Sequence, residues 1–255
     1  MKAKFKLGVT TIALAAVLLQ GCDSGSSAKV VADSTATPLP VTTPAATNPS
    51  ATTGPLVVDV SGATSIQLPP VSSALELMPM GEISLAERAG VIFLREEEKL
   101  ASDLLALAAS RWGEPAFANA MAAEKTHSEA VRLLMARHAI YDPAAGKGAG
   151  IYEDRGLQTL FEALRARIEL SLIDALLVAA EVTEISLMDI ASHAANVSDN
   201  PDILHVYALM TTASRNHLRI FVRQITSLGI RYQAQYLAQQ NLEAIVASAF
   251  ETSGA

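Results

Sequence analysis

From Glu82 to Gly229 apolar residues recur at intervals of three and four, and alternation at period two is almost absent. Such a chain buries one stripe per helix and must pack helix on helix, so an all-α bundle is the architecture it predicts. Punctuation marks the elements. "ISLAERAGVIFLREEEKLASDLLALAASRW" starts with Ser84 as N-cap and Glu87 completing a capping box, and stops at Gly113. "PAFANAMAAEKTHSEAVRLLMARHAI" opens on Pro115 and ends before the glycine-rich "YDPAAGKGAG". "LQTLFEALRARIEL" gives a short helix inside the following connection. "SLIDALLVAAEVTEISLMDIASHAANV" is the third long helix; the fourth follows Asn200 and Pro201 and stops at Gly229. Four long helices with one crossover make one domain, residues 81–230, and 231–255 add an amphipathic tail.

The N-terminus reads differently. Lys2, Lys4 and Lys6 precede the apolar run "LGVTTIALAAVLL", too short for a membrane span but suited to a signal-peptide core. "LQGC" follows, and it resembles the bacterial lipoprotein box, which implies a signal peptide over 1–21 and lipidation of Cys22. Stable anchoring by that route needs more than one acyl chain. Asp23 resembles the inner-membrane retention signal of enteric bacteria. Cys22 is the only cysteine, so the exported domain is expected to have no disulfide, thiolate metal site or cysteine nucleophile. Residues 22–80 are rich in Ser, Thr, Ala, Pro and Val and read as a tether, with "LVVDVSGATSIQL" able to form a short strand packed on the domain. Cleavage would remove three lysines and no acid, taking the formal charge from −7 to −10. That charge argues against a nucleic-acid partner and against attraction to anionic headgroups, so the membrane contact is expected to be the covalent anchor.

Chemistry concentrates in a few positions. Glu124 and His127 stand three apart on the second long helix and project to one face. On the first, Glu98 shares a stripe with Leu94, Ala101 and Leu105, while Glu97 shares the neighbouring one with Phe93, Leu100 and Leu104; Glu98 is favoured and Glu97 stays open. Glu181 and Glu184 lie in an apolar stretch of the third, where a carboxylate needs a partner or a cation to be buried. His217 lies between Ala213, Leu218 and Phe221 on the fourth. His138, near a helix end, is expected at terminal carbonyls, His193 and His205 at the surface, Met188 and Met210 in the core, and Trp112 at the bundle end.

The motifs "EEEKLASDLL", "FANAMAAEKTHSEAV" and "SRNHLRIF" are similar to those of the ferritin-like superfamily, and within it to the exported domain of unknown function 2202. The first stretch and "AEVTEI" also resemble helices of rubrerythrin. The resemblance implies a ferritin-like four-helix bundle binding one or two iron or manganese ions. The implied ligands are Glu98, Glu124, His127, Glu184 with or without Glu181, and His217. It also implies action on O₂ or peroxide. No electron-donor motif is visible in the sequence, so turnover is expected to need an external electron donor, and a homodimer is a further expected partner. One position departs: Ser214 stands where a second Glu-x-x-His would have its glutamate. The competing expectation is a non-enzymatic envelope binding module that keeps the bundle without a redox metal.

Overall fold

A computed structural model describes residues 54–252. The expected signal peptide, Cys22, Asp23 and most of the expected tether fall outside that range. Within it the chain runs β1 (Leu56–Val58), β2 (Thr64–Ile66), α1 (Leu68–Leu77), α2 (Leu85–Trp112), α3 (Pro115–Arg137), α4 (Arg155–Ile168), α5 (Leu172–Ala194), α6 (Pro201–Ser227) and α7 (Gln239–Ala247).

The four long helices are two helical hairpins, α2–α3 and α5–α6, closed on each other by α2 against α5 and α3 against α6. Their ends follow the sequence signals. Ser84 Oγ accepts from Glu87 N–H and Glu87 Oε2 accepts from Ser84 N–H, the reciprocal pair of a capping box. Gly113 ends α2 at φ +67°, and Pro115 starts α3 two residues later. Asn200 and Pro201 open α6, although the Asn200 side chain serves Gly81 N–H and Glu87 rather than the helix end. The crossover from α3 to α5 contains α4, and α7 packs on α6. The all-α bundle is thus the fold of the chain.

The short strand expected within "LVVDVSGATSIQL" is present as an antiparallel hairpin over residues 56–66, and residues 68–77, expected as tether, form a helix. Composition hid the helix, because Pro69 and Pro70 look like extended chain yet occupy the first turn of α1, where proline is tolerated. Leu56, Ile66, Val71 and Leu75 are all buried, and burial of that apolar surface holds the segment down. The hairpin turn is tied by Asp59 Oδ1, which accepts from the N–H groups of Ser61 and Ala63. Gly62 takes φ +97° with the Phe250 ring against it, so close that a Cβ would lie 2.3 Å from ring carbons. Strand β2 lies over α3 and α6.

Of the single-residue expectations, those for His138, His193, His205 and Met188 need correction, while Met210 and Trp112 stand where they were expected. His138 is buried and meets Asp202 at 2.8 Å instead of helix carbonyls. His193 is half-buried against Phe93 and Gly90, and His205 is only partly exposed. Met188 is exposed on α5, whereas Met210 is fully buried. Trp112 donates from Nε1 to Ile168 C=O and so joins the ends of α2 and α4.

A buried carboxylate–imidazole cluster

Helix α2 places Glu98, and successive turns of α3 place Glu124 and His127, so that their ligand atoms lie within 4.8 Å of one another. His127 Nδ1 is 2.7 Å from Glu124 Oε2 and 3.3 Å from Glu98 Oε2. These are close approaches without hydrogen-bond geometry. Both Glu98 oxygens and His127 Nδ1 are buried with no hydrogen-bond partner among the described residues. Orphaned buried polar atoms are rare because each forfeits its hydration, and here three of them belong to two neighbouring side chains of the group.

The remaining ring atoms are assigned by what surrounds them. His127 Nε2 is 2.8 Å from the backbone carbonyl of Thr64, which can only accept, so Nε2 carries the hydrogen and Nδ1 is the atom open to a proton or a cation. His217 stacks beside it, centroids 5.4 Å apart. Its Nε2 accepts from Thr64 N–H at 3.1 Å, so its proton is on Nδ1, which donates to Glu124 Oε1 at 2.7 Å. His217 therefore orients a carboxylate and leaves no nitrogen for a cation.

Electrostatics follow from crowding. Burial and the charge of Glu124 push Glu98 up to about 8. Burial acts to raise Glu124 too, but His127 and His217 hold it well below the usual carboxylate range. Burial acts to lower His127, yet Glu124 and Glu98 hold it well above the ordinary imidazole value. Glu97 is also fully buried, and burial together with Glu98 pushes it well up. Its Oε1 accepts from Ser186 Oγ at 2.6 Å, while Oε2 has no partner among the described residues.

Of the residues expected at the site, Glu98, Glu124 and His127 come together, with His217 behind Glu124. Glu181 and Glu184 do not join them. Glu184 is buried but turned toward the chain beyond α6, where it accepts from Tyr232 O–H at 2.7 Å and from the N–H groups of Gln235, Tyr236 and Leu237. Glu181 meets Arg167 Nη1 at 2.5 Å on a partly exposed face. Ser214 is buried one turn before His217 and adds no carboxylate. Sequence reasoning missed Thr64, whose contribution is its backbone and leaves no residue signature. It also missed Ser186, the partner of Glu97, because a lone serine in an apolar helical stretch belongs to no motif.

The Glu–Glu–His set offers hard oxygen and imidazole donors, which suit iron, manganese or a similar divalent ion. The orphaned atoms fit a cation at their centre.

Residues 87–249 match the family model described as uncharacterized protein domain (DUF2202). The chain is 34% identical over 174 residues to "Uncharacterized protein MJ0754" of Methanocaldococcus jannaschii, covering 68% of this chain and 94% of that protein. It is also similar to the crystal structure of hypothetical protein MJ0754 from Methanococcus jannaschii DSM 2661, with a TM-score of 0.66 and 33% identity over 68% of this chain and 99% of that one.

Proposed function

The chain belongs to the DUF2202 family, and from its buried cluster we propose that it is a ferritin-like, lipid-anchored protein binding one iron or manganese ion in the bundle core. The observation that carries this is the convergence of Glu98, Glu124 and His127, whose ligand atoms lie within 4.8 Å of one another, with both Glu98 oxygens and His127 Nδ1 buried and unpartnered among the described residues. Glu98, Glu124 and His127 would hold the ion, and His217 would keep Glu124 in place. When bound, such an ion would supply Lewis acidity and a redox couple toward O₂ or peroxide. An external reductant belongs to the proposal, as does a homodimer. One ion is favoured over two because Glu181 and Glu184 are engaged elsewhere and Ser214 brings no carboxylate.

The anchor is proposed from "LQGC", which would lipidate Cys22 and hold the domain at the cell envelope, at the inner membrane if Asp23 acts as a retention signal. No helix among the described residues is long and apolar enough to cross a membrane.

A second reading, an envelope interaction module without redox chemistry, is favoured by the same engagement of Glu181 and Glu184. Anaerobic titration with iron(II), followed by peroxide and a chemical reductant, separates the two. Uptake of one equivalent and peroxide consumption, both lost in Glu98→Ala, supports the first reading. Uptake without consumption supports the second.

A further inference from the structure

Both backbone polar groups of one strand residue point into the cluster. In an antiparallel pair, the N–H and C=O of a residue lie on the same edge, turned either to the partner strand or away from it. Thr64 is paired with Val58, and its two groups face away from β1, into the bundle. There they meet two histidines on two helices, the C=O at His127 Nε2 and the N–H at His217 Nε2. One edge thus demands a hydrogen on one Nε2 and a lone pair on the other.

We propose that strand β2, through the backbone of Thr64, is a built part of the cation site that fixes opposite tautomers on His127 and His217. His127 is left with Nδ1 as its only ligating atom, and His217 is left with Nδ1–H as its only donor, aimed at Glu124. A supporting partner of this kind sets ring orientation and ligand basicity, as carboxylates and carbonyls do behind other metal-bound histidines. The strand is held for the purpose at three points. Thr64 Oγ1 accepts from Asn216 Nδ2 at 2.8 Å and donates to Gly62 C=O at 3.0 Å. The next N–H on the same edge, that of Ile66, donates to Thr126 Oγ1 on α3 at 2.8 Å. Asn216 is itself fixed by Arg219 and by the backbone of Glu251. The hairpin precedes residue 87, where the family match begins, so this part of the site lies outside the matched span. The His127 half of the inference rests on the metal reading above; the His217 half does not.

Long-range ¹H–¹⁵N correlation spectra of the full-length protein test it, recorded metal-free and with zinc as a diamagnetic probe. The expected metal-free result is His217 neutral with its proton on Nδ1. With zinc, His127 should show Nε2 protonated and Nδ1 shifted by coordination. Thr64→Pro removes the N–H; His217 should then shift toward the Nε2–H form, and zinc affinity should fall by about tenfold. A proton on His217 Nε2 in the unaltered protein overturns the proposal, as does zinc on His127 Nε2, or an unchanged His217 in folded Thr64→Pro. Failure of Thr64→Pro to fold leaves the unaltered protein's spectra to decide. Absence of zinc uptake with His217 on Nδ1–H defeats the metal reading while supporting the strand's hold on His217.

Discussion

His217 Nδ1 lies 2.7 Å from Glu124 Oε1, so the fourth long helix contributes to the cluster through a carboxylate of the second rather than as a ligand of its own. This gives the two histidines different consequences when lost. His127→Ala should abolish cation binding. His217→Gln should leave one ion per chain and weaken it by about 10- to 100-fold, as loss of a ligand's supporting partner does. Isothermal titration with manganese distinguishes these outcomes.

Binding should depend on pH with a definite sign. Without an ion, Glu98 near 8 and the raised His127 both hold protons at neutral pH, opposite an ionised Glu124. A divalent ion must displace both protons, so affinity should rise by up to about a hundredfold per pH unit below 8, with proton release seen by buffer-dependent calorimetry. Affinity independent of pH between about 6 and 8 contradicts this assignment.

The metal-free protein should show the reverse trend in stability. Because Glu98 titrates higher folded than at its usual 4.5, the native state holds the extra proton between about 4.5 and 8, and stability falls as pH rises through that window. His127 acts in the same direction, its contribution present below 6.5 and lost as pH climbs through its raised folded value. Thermal melts at about pH 5 and pH 8 with a chelator present should show the lower Tm at the higher pH in the unaltered protein, by a margin that narrows in Glu98→Gln.

Glu184→Ala should damage the fold and spare the cation. The carboxylate gathers Tyr232 O–H and the N–H groups of residues 235–237, so its loss leaves buried donors unpaired at a cost of about 1–3 kcal/mol each in the worst case. Amide exchange in residues 232–237 should rise while metal stoichiometry stays at that of the unaltered protein. A drop in stoichiometry with unchanged exchange would return Glu184 to the ligand set.

Gly62→Ala should loosen the hairpin. The position needs both a positive φ and room for the Phe250 ring, and strain of this kind costs on the order of 1–3 kcal/mol. Protection of the Ile66 amide, which bonds Thr126 across to α3, should fall.

The bundle is legible in the sequence because its helices carry period and punctuation together: Ser84 with Glu87, Gly113 with Pro115, and Gly229 all stand where the structure uses them. Glu98, Glu124 and His127 are legible for the same reason, since helical spacing fixes which side chains share a face. Spacing does not say what lies opposite that face. The apolar surroundings of Glu184 do mark it for burial, but its partners come from a loop some fifty residues onward that carries no periodic signal. His138 likewise finds Asp202 across the bundle. Thr64 is invisible because its chemistry is that of any peptide unit, and only the hairpin's register aims it.

The most direct measurement is metal content by mass spectrometry of the protein purified with iron and with manganese, beside a Glu124→Ala/His127→Ala double variant. The account predicts about one ion per chain in the unaltered protein and none in a double variant that remains helical. No ion in the unaltered protein, or an equal amount in both, would contradict it.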